Sequence, residues 1–311
     1  MAQKILVLGS SNVDLVIRVP RFHQPGETIT ADNLITAFGG KGANQAISAR
    51  RLGGNVSFIT KLGNDSYGKA YLKYFLKNGL PRKFLLQDKQ LPTGTALIEL
   101  NPRGENRIIV SPGANGSLSV KDLRRFLHIW QGFNVFVAQL EIPLPTVRMA
   151  LQAAKAHGVL TLLNPSPSIP LPPELLSLVD FLVPNELEAQ SLTGIKMRRD
   201  QDLPRIAKRL LNRGVKNVVI TLGPKGLFFK NVDEEIRMKA FRVRAVDTTA
   251  AGDAFMGALA VGLSEGEAIP GVLVFASAAG ALAATKFGAQ PSLPVRRELA
   301  RFLAKQTKRQ S

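Results

Sequence analysis

The chain predicts an α/β fold: a doubly wound, mostly parallel central sheet flanked by helices, with a small antiparallel β lid. Two observations carry that prediction. Short apolar runs alternate with longer segments of helical period, the pattern of parallel strands buried on both faces. Two other segments, 15–38 and 93–110, contain no helical period and read as extended pieces joined by turns.

Taken in order, the apolar run at 4–8 gives a first buried strand, and too little chain precedes it for a signal peptide. The segment 15–38 turns at Gln24-Pro25-Gly26-Glu27. A helix at 42–52, a strand at 56–61 and a helix at 67–78 follow. The segment 93–110 turns at Pro102-Arg103-Gly104-Glu105-Asn106. Strands are then expected at 135–138, 159–163, 181–183 and 218–221, with helices at 144–157 and 203–213 between them. Helices at 251–263 and 271–285 complete the pattern. Both extended segments leave the main domain from the edge where ligands of such sheets sit, beyond the strands' carboxyl ends. They are therefore expected to form one antiparallel sheet over the site. The 311 residues show no repeat or linker and fit a single domain, 1–311, with that lid as a substructure.

Composition excludes several classes. No cysteine is present, which removes disulfides, thiolate catalysis and cysteine-based zinc sites. His23, His128 and His157 share no ligand spacing. The uncharged run 268–285 has the length of a membrane span, but Ala, Gly, Ser and Val dominate it and Pro270 lies near its start. A helix packed tightly against the sheet is expected instead. The net charge of +18 favours polyanions by nonspecific attraction. Its lysines and arginines are spread along the chain, with a modest cluster at Arg296, Arg297, Arg301, Lys305, Lys308 and Arg309. Aromatic content of 6% without an interleaved basic–aromatic motif argues against a specific nucleic-acid module.

The most informative stretch is Asp247-Thr248-Thr249-Ala250-Ala251-Gly252-Asp253-Ala254-Phe255. Small residues open a helix whose free N–H groups and positive dipole end suit a phosphate. Asp253 beside such a site reads as a base that takes a proton from an alcohol. The alternative makes Asp247 an N-cap and Asp253 an exposed first-turn acid. In Gly39-Gly40-Lys41-Gly42-Ala43-Asn44-Gln45-Ala46 three glycines permit close approach of backbone to ligand, although neither phosphate-loop nor dinucleotide spacing is met. Asn12 and Asp14 follow the first strand, where a polyhydroxylated ligand or a capped turn would explain them equally. Pro184-Asn185-Glu186-Leu187-Glu188 follows another strand and could hold a hydrated magnesium ion and phosphates. Thr221-Leu222-Gly223-Pro224-Lys225-Gly226 could receive a nucleotide by backbone contacts.

Residues 39–46 and 247–253, with Asn185 and Glu188 between them, resemble the ribokinase (phosphofructokinase B) family of sugar kinases. Asn164-Pro165-Ser166-Pro167 and Gly288-Ala289-Gln290-Pro291-Ser292 extend the resemblance to nearly the whole chain. It implies that Asp253 deprotonates the sugar's primary hydroxyl and that the amides of Ala250, Ala251 and Gly252 form the anion hole. It implies that Asn12, Asp14, Gly40, Lys41, Asn44 and Glu141 bind the pentose. Asn185 and Glu188 match the nucleotide and magnesium region, Thr221, Gly223 and Gly226 the nucleotide loop, and Ser277 the adenine pocket. Asp247, Thr249, Ala283, Lys286, Gly288 and Ser292 match a monovalent-cation site, usually for potassium. Lys286 fits there only through its backbone carbonyl, with the ammonium directed to solvent.

The activity so implied is ATP-dependent phosphorylation of D-ribose at the 5-hydroxyl to D-ribose 5-phosphate. The enzyme would need Mg2+ and K+, act in the cytoplasm, and form a homodimer whose lids pair. A 2-deoxyribokinase, or another pentose or nucleoside kinase, is the alternative within the family. The polar pair Asn12 and Asp14 favours a sugar that keeps its 2-hydroxyl. Outside the family the alternative is a noncatalytic sugar-binding or nucleic-acid-associated protein.

Overall fold

Apolar runs become strands and the segments between them helices, as the alternation requires. In a computed structural model that describes residues 3–103 and 105–307, the chain begins β1 (Lys4–Leu8), β2 (Asn12–Arg18), β3 (Asn33–Gly39), α1 (Lys41–Arg51), β4 (Asn55–Gly63) and α2 (Ser66–Lys77). It continues β5 (Leu85–Asp88), β6 (Gly94–Leu100), β7 (Asn106–Ser111), α3 (Val120–Arg124), β8 (Val135–Ala138), α4 (Leu144–Ala156) and β9 (Leu160–Leu163). Then come α5 (Pro173–Leu176), β10 (Phe181–Leu182), α6 (Glu186–Thr193), α7 (Leu203–Leu211), β11 (Asn217–Thr221), β12 (Leu227–Lys230) and β13 (Glu235–Met238). The last elements are α8 (Ala251–Ser264), α9 (Ile269–Ala283), α10 (Ala289–Ser292) and α11 (Arg296–Thr307).

Nine strands form the central sheet in the order β13-β12-β11-β10-β9-β8-β1-β4-β5. Pairing is parallel from β11 to β5, and the pairs β11–β12 and β12–β13 are antiparallel, so β12 alone runs against the rest. Side chains of β1 alternate between two apolar layers: Ile5 and Val7 enter one, Leu6 and Leu8 the other. Helices α1, α2, α8, α9 and α11 contribute to the first layer, and α3 to α7 to the second. Both faces are thus covered, which is why these strands read as continuous apolar runs.

The lid is a four-stranded sheet, β3-β2-β6-β7. Its outer pairs are antiparallel as expected, while the central pair β2–β6 is parallel, Asn12 opposite Gly94. The reason is topological: β2 and β6 both start at the carboxyl edge of the main sheet and run outward in the same direction. Gly104, in the expected turn between β6 and β7, lies outside the described residues.

One packing expectation is corrected. The apolar helix α9 lies mainly on α8 and α11 rather than on the sheet, because α8 already occupies the place beside β1 and β8. Small residues allow the close fit; a Cβ added at Gly262 of α8 would come 3.2 Å from Val272 of α9. Among the described residues no helix is long and apolar enough to cross a membrane. In the basic C-terminal cluster, Arg296, Arg297, Arg301 and Lys305 lie on α11, whereas Lys308 and Arg309 fall outside the described residues.

Candidate active site

Two helix N-termini meet at the carboxyl edge of the sheet, and the protein treats them in opposite ways. At α1 the first amides are consumed internally. Lys41 N–H donates to Glu141 Oε2 at 3.0 Å, Gly42 N–H to Ser10 Oγ at 3.3 Å and Ala43 N–H to the Ser10 carbonyl at 2.8 Å. At α8 the Ala251 N–H turns back to the Thr248 carbonyl at 3.1 Å, while those of Ala250, Gly252 and Asp253 find no partner among the described residues. The free donors therefore differ by one from the set the resemblance implies, with Asp253 N–H available where Ala251 N–H is taken. Ala250 adopts φ 59, a left-handed conformation that β-carbon-bearing residues rarely hold without reason. Open amides and a strained turn at a long helix's positive end make a site for an anion.

Asp253 stands in the first turn of α8, buried, with both oxygens held by neutral amides. Asn44 Nδ2 donates to Oδ2 and Gln45 Nε2 to Oδ1, each at 2.9 Å. Gln139 Nε2 fixes Gln45 in turn, at 2.6 Å from its Oε1. Among the described residues no ion pair within 4.0 Å engages Asp253; its partners are the two neutral amides. Asn44 Oδ1 is left buried without a partner, which suits it to accept a ligand hydroxyl.

Asn12 opens lid strand β2, and Asp14 lies two residues farther along the same strand. Asn115 Nδ2 donates to Asn12 Oδ1 at 2.7 Å, so the Asn12 amide presents its NH2 group to the site. Asp14 lies against the glycine pair at the end of β3. A Cβ at Gly39 would sit 2.1 Å from Asp14 Oδ2, and one at Gly40 2.6 Å from Asn12 N. Burial, then the charges of Glu141 and Asp253, push Asp14 up from 3.8 to about 7. Burial opposes the Lys41 ammonium, yet Asp253, Glu141 and Glu188 together hold its pKa above the ordinary value.

A cavity of about 220 Å³ brings together Lys41, Asn185, Glu188, Thr221, Ala250, Gly252 and Asp253, along with Asn164, Ser166 and Thr248. Asn185 and Glu188 form a capping box at α6: Glu188 N–H to Asn185 Oδ1 at 2.9 Å, Asn185 N–H to Glu188 Oε2 at 2.8 Å. Burial raises the Glu188 pKa, opposed by hydrogen bonds from Asn185 and Ser166 and by the charge of Lys41. Of the nucleotide-loop residues, Thr221 lines this cavity, while Gly223 and Gly226 do not. Gly226 has φ 105 and a Cβ there would meet the Met238 carbonyl at 1.9 Å, while Ser277 Oγ lies 3.8 Å from Met238 Sδ. Gly223 has φ 54 in the same turn. Met238 thus joins Gly226 to Ser277.

The proposed cation residues come from two stitched loops. Val246 and Asp247 N–H donate to the Ala284 carbonyl at 2.8 and 3.2 Å, and Gly288 N–H to Asp247 Oδ2 at 2.9 Å. Thr249 N–H donates to Asp247 Oδ1 at 2.8 Å. Burial works against the Asp247 charge, but the hydrogen bonds from Thr249 and Gly288 bring its pKa below the ordinary value. Lys286 turns its ammonium outward to Glu298 at 3.1 Å, so the positive charge expected to conflict with a cation is directed elsewhere. The Ala283 carbonyl already accepts from Lys286 N–H, and Ser292 Oγ donates to Ala289 O at 2.7 Å. Asp247 thus sits at the junction of the two loops, each of its oxygens accepting one backbone N–H; as a carboxylate it offers the hard oxygen chemistry a cation would take.

Residues that the sequence reading gave no role are Gln45, Asn115, Gln139, Tyr71 and Gln290. Gln45 and Gln290 stood inside quoted motifs; Asn115 and Gln139 gave no local signal, since their partners lie 103 and 94 residues away.

Likeness to known proteins agrees with this geometry. The model of the pfkB family carbohydrate kinases matches residues 2–296. A ribokinase of Haemophilus influenzae is 42% identical over 303 residues, 97% of this chain and 99% of its own. A deoxyribokinase of Salmonella typhimurium is 36% identical, covering 82% of this chain and 84% of its own. The structure of Arabidopsis thaliana ribokinase complexed with ribose and ATP superposes with a TM-score of 0.90 at 33% identity, covering 97% and 99% of the two chains. With a family match along nearly its full length and an uncapped helix beside a buried carboxylate, the chain belongs to the pfkB family of carbohydrate kinases.

Proposed function

We propose that this kinase transfers the γ-phosphoryl group of ATP to the 5-hydroxyl of D-ribose, giving D-ribose 5-phosphate and ADP. The observation that carries the reading is the buried Asp253 carboxylate beside unpartnered amides at the start of α8. Asp253 accepts the hydroxyl proton as the oxygen bonds to the γ-phosphorus and the bond to the β-phosphate bridging oxygen breaks. The N–H groups of Ala250, Gly252 and Asp253 face the charge of the migrating group, and Lys41, which lines the same cavity, supplies a positive charge. Asn12, Asp14, Gly40, Asn44 and Glu141 hold the sugar, and Thr221, Gly223, Gly226 and Ser277 the nucleotide. Glu188 and Asn185 would hold a magnesium ion from the protein side, neutralising phosphate charge. Asp247 and the carbonyl-bearing positions Thr249, Ala283, Lys286, Gly288 and Ser292 would hold a monovalent cation that supports the anion-hole turn.

We read the chain as one kinase domain working in the cytoplasm, with the lid excluding water from the transfer. Edge strand β7 is exposed along its whole length, and Ile108, Ile109 and Val110 are 54%, 66% and 51% accessible. Such an apolar lid edge supports a homodimer that pairs two lids. The Asn12 NH2 group, whose Oδ1 is already taken by Asn115, and the Asp14 carboxylate favour ribose over 2-deoxyribose, because a sugar lacking a hydroxyl leaves a polar group of the site unsatisfied. A coupled assay comparing kcat/KM tests this directly: ribose is expected to lead, and a preference for 2-deoxyribose reverses the substrate assignment.

A further inference from the structure

The cation loop and the lid hinge are joined by a buried chain of hydrogen bonds that the phosphoryl transfer does not itself require. Tyr71, fully buried on α2, donates its hydroxyl to the Gly39 carbonyl at 2.6 Å. Gln290, between Gly288 and Ser292, donates Nε2 to the same phenol oxygen at 2.6 Å. A carbonyl oxygen can only accept, so the phenol proton belongs to Gly39 and the phenol oxygen accepts from a donor. The orientation of the Gln290 amide follows, and its Oε1 is left buried without a partner. Burial, reinforced by the charge of Asp14, keeps the Tyr71 pKa well above its ordinary value, so the proton stays in place.

Both ends of this chain are held without slack. Arg51 of α1 donates to the Gln290 carbonyl at 2.7 Å and the Leu293 carbonyl at 2.9 Å, and β3 lies against α10. Phe38, next to Gly39, stacks on the Tyr71 ring at 4.2 Å and 15°. Gly39 is pressed against the Asp14 carboxylate and Gly40 against the Asn12 backbone. A shift of the Gly39 carbonyl therefore displaces the backbone on which the sugar-binding groups of β2 rest.

We propose that Tyr71 and Gln290 are positioning residues that couple occupancy of the monovalent-cation loop to sugar affinity. The inference rests on the cation assignment above and deepens it. Asp247 and Thr249 link the cation to the anion hole, whereas Gln290 and Tyr71 link it to the sugar end. Coupling between two binding sites is reciprocal, so the cation tightens the sugar and the sugar tightens the cation.

The test is calorimetric titration of D-ribose in the presence of a nonhydrolysable ATP analogue. It is run in saturating potassium and in a potassium-free buffer of equal ionic strength. The wild type is expected to bind ribose about 5-fold or more tightly with potassium. Tyr71→Phe, which keeps the ring stacked between Phe38 and Phe75, and Gln290→Met are each expected to bind ribose equally in both buffers. Their turnover at saturating ribose should still respond to potassium, because Asp247 is untouched. A variant that keeps the wild-type potassium effect on ribose affinity overturns the coupling. So does a wild type whose turnover responds to potassium while its ribose affinity does not. A wild type indifferent to potassium in both measurements removes the cation assignment as well.

Discussion

Asp14→Asn should make the sugar-free protein more stable and the enzyme worse. Burial and the neighbouring carboxylates Glu141 and Asp253 raise Asp14 from 3.8 to about 7. The folded chain thus holds this proton more tightly than the unfolded chain. Stability from this group is complete below the unfolded pKa and is lost as pH rises through the folded one. A rise of that size corresponds to about 4 kcal/mol, fully lost above about pH 7. Asparagine keeps the shape and cannot ionise. Urea unfolding midpoints of the two proteins, followed from about pH 4 to pH 8, should therefore diverge in favour of Asp14→Asn and then run parallel. A constant difference across that range, or a less stable variant at pH 8, refutes the reasoning. Ribose binding should weaken in the variant by about tenfold, the size of a lost hydrogen bond to a charged group. In the wild type the ribose KM should fall as pH rises through about 7, because hydroxyls donate to the ionised carboxylate.

Two further perturbations address the nucleotide side. Gly226→Ala should raise the ATP KM and lower the thermal unfolding midpoint while leaving the ribose KM near wild type, since φ 105 and the Met238 carbonyl leave no place for a methyl group; strain of about 1–3 kcal/mol is expected. An unchanged ATP KM would detach that turn from nucleotide binding. Glu188→Gln keeps an oxygen to accept the Asn185 N–H and so preserves the cap, but removes a charge. Its activity should need several-fold more magnesium in a titration, about the effect of one charge-assisted contact; an unaltered magnesium dependence argues against Glu188 as the protein's magnesium-side group.

How much of this was legible in the chain depends on the range of the interaction. The parallel strands were, because burial on both faces leaves apolar runs such as Ile5-Leu6-Val7-Leu8. Strand β5 was not, being four residues at the sheet edge with the exposed Gln87 within it. The β12–β13 hairpin escaped because it departs from the alternation of strand and helix on which the reading relied. Helix α6 could have been found from the Asn185-x-x-Glu188 spacing of a capping box. For α9 the sequence revealed burial but not against what; an all-apolar helix carries no marker of its neighbour. In the site, the glycine segment was legible as a close approach, but its glycines and first amides meet Asp14, Asn12, Ser10 and Glu141 of the protein itself. The α8 turn was legible because amide exposure is local. The amides that aim Asp253 were not, since Asn44 and Gln45 lie 209 and 208 residues from it and only the closed fold brings them within 2.9 Å.

The central claim is that Asp253 takes the proton while the start of α8 receives the phosphoryl group. Substituting Asp253→Asn leaves the helix terminus and its amides in place and removes only the base. Single-turnover phosphate transfer to ribose should fall by about 100-fold or more, with ATP affinity measured by calorimetry essentially unchanged. Transfer at the wild-type rate in that variant would contradict the account.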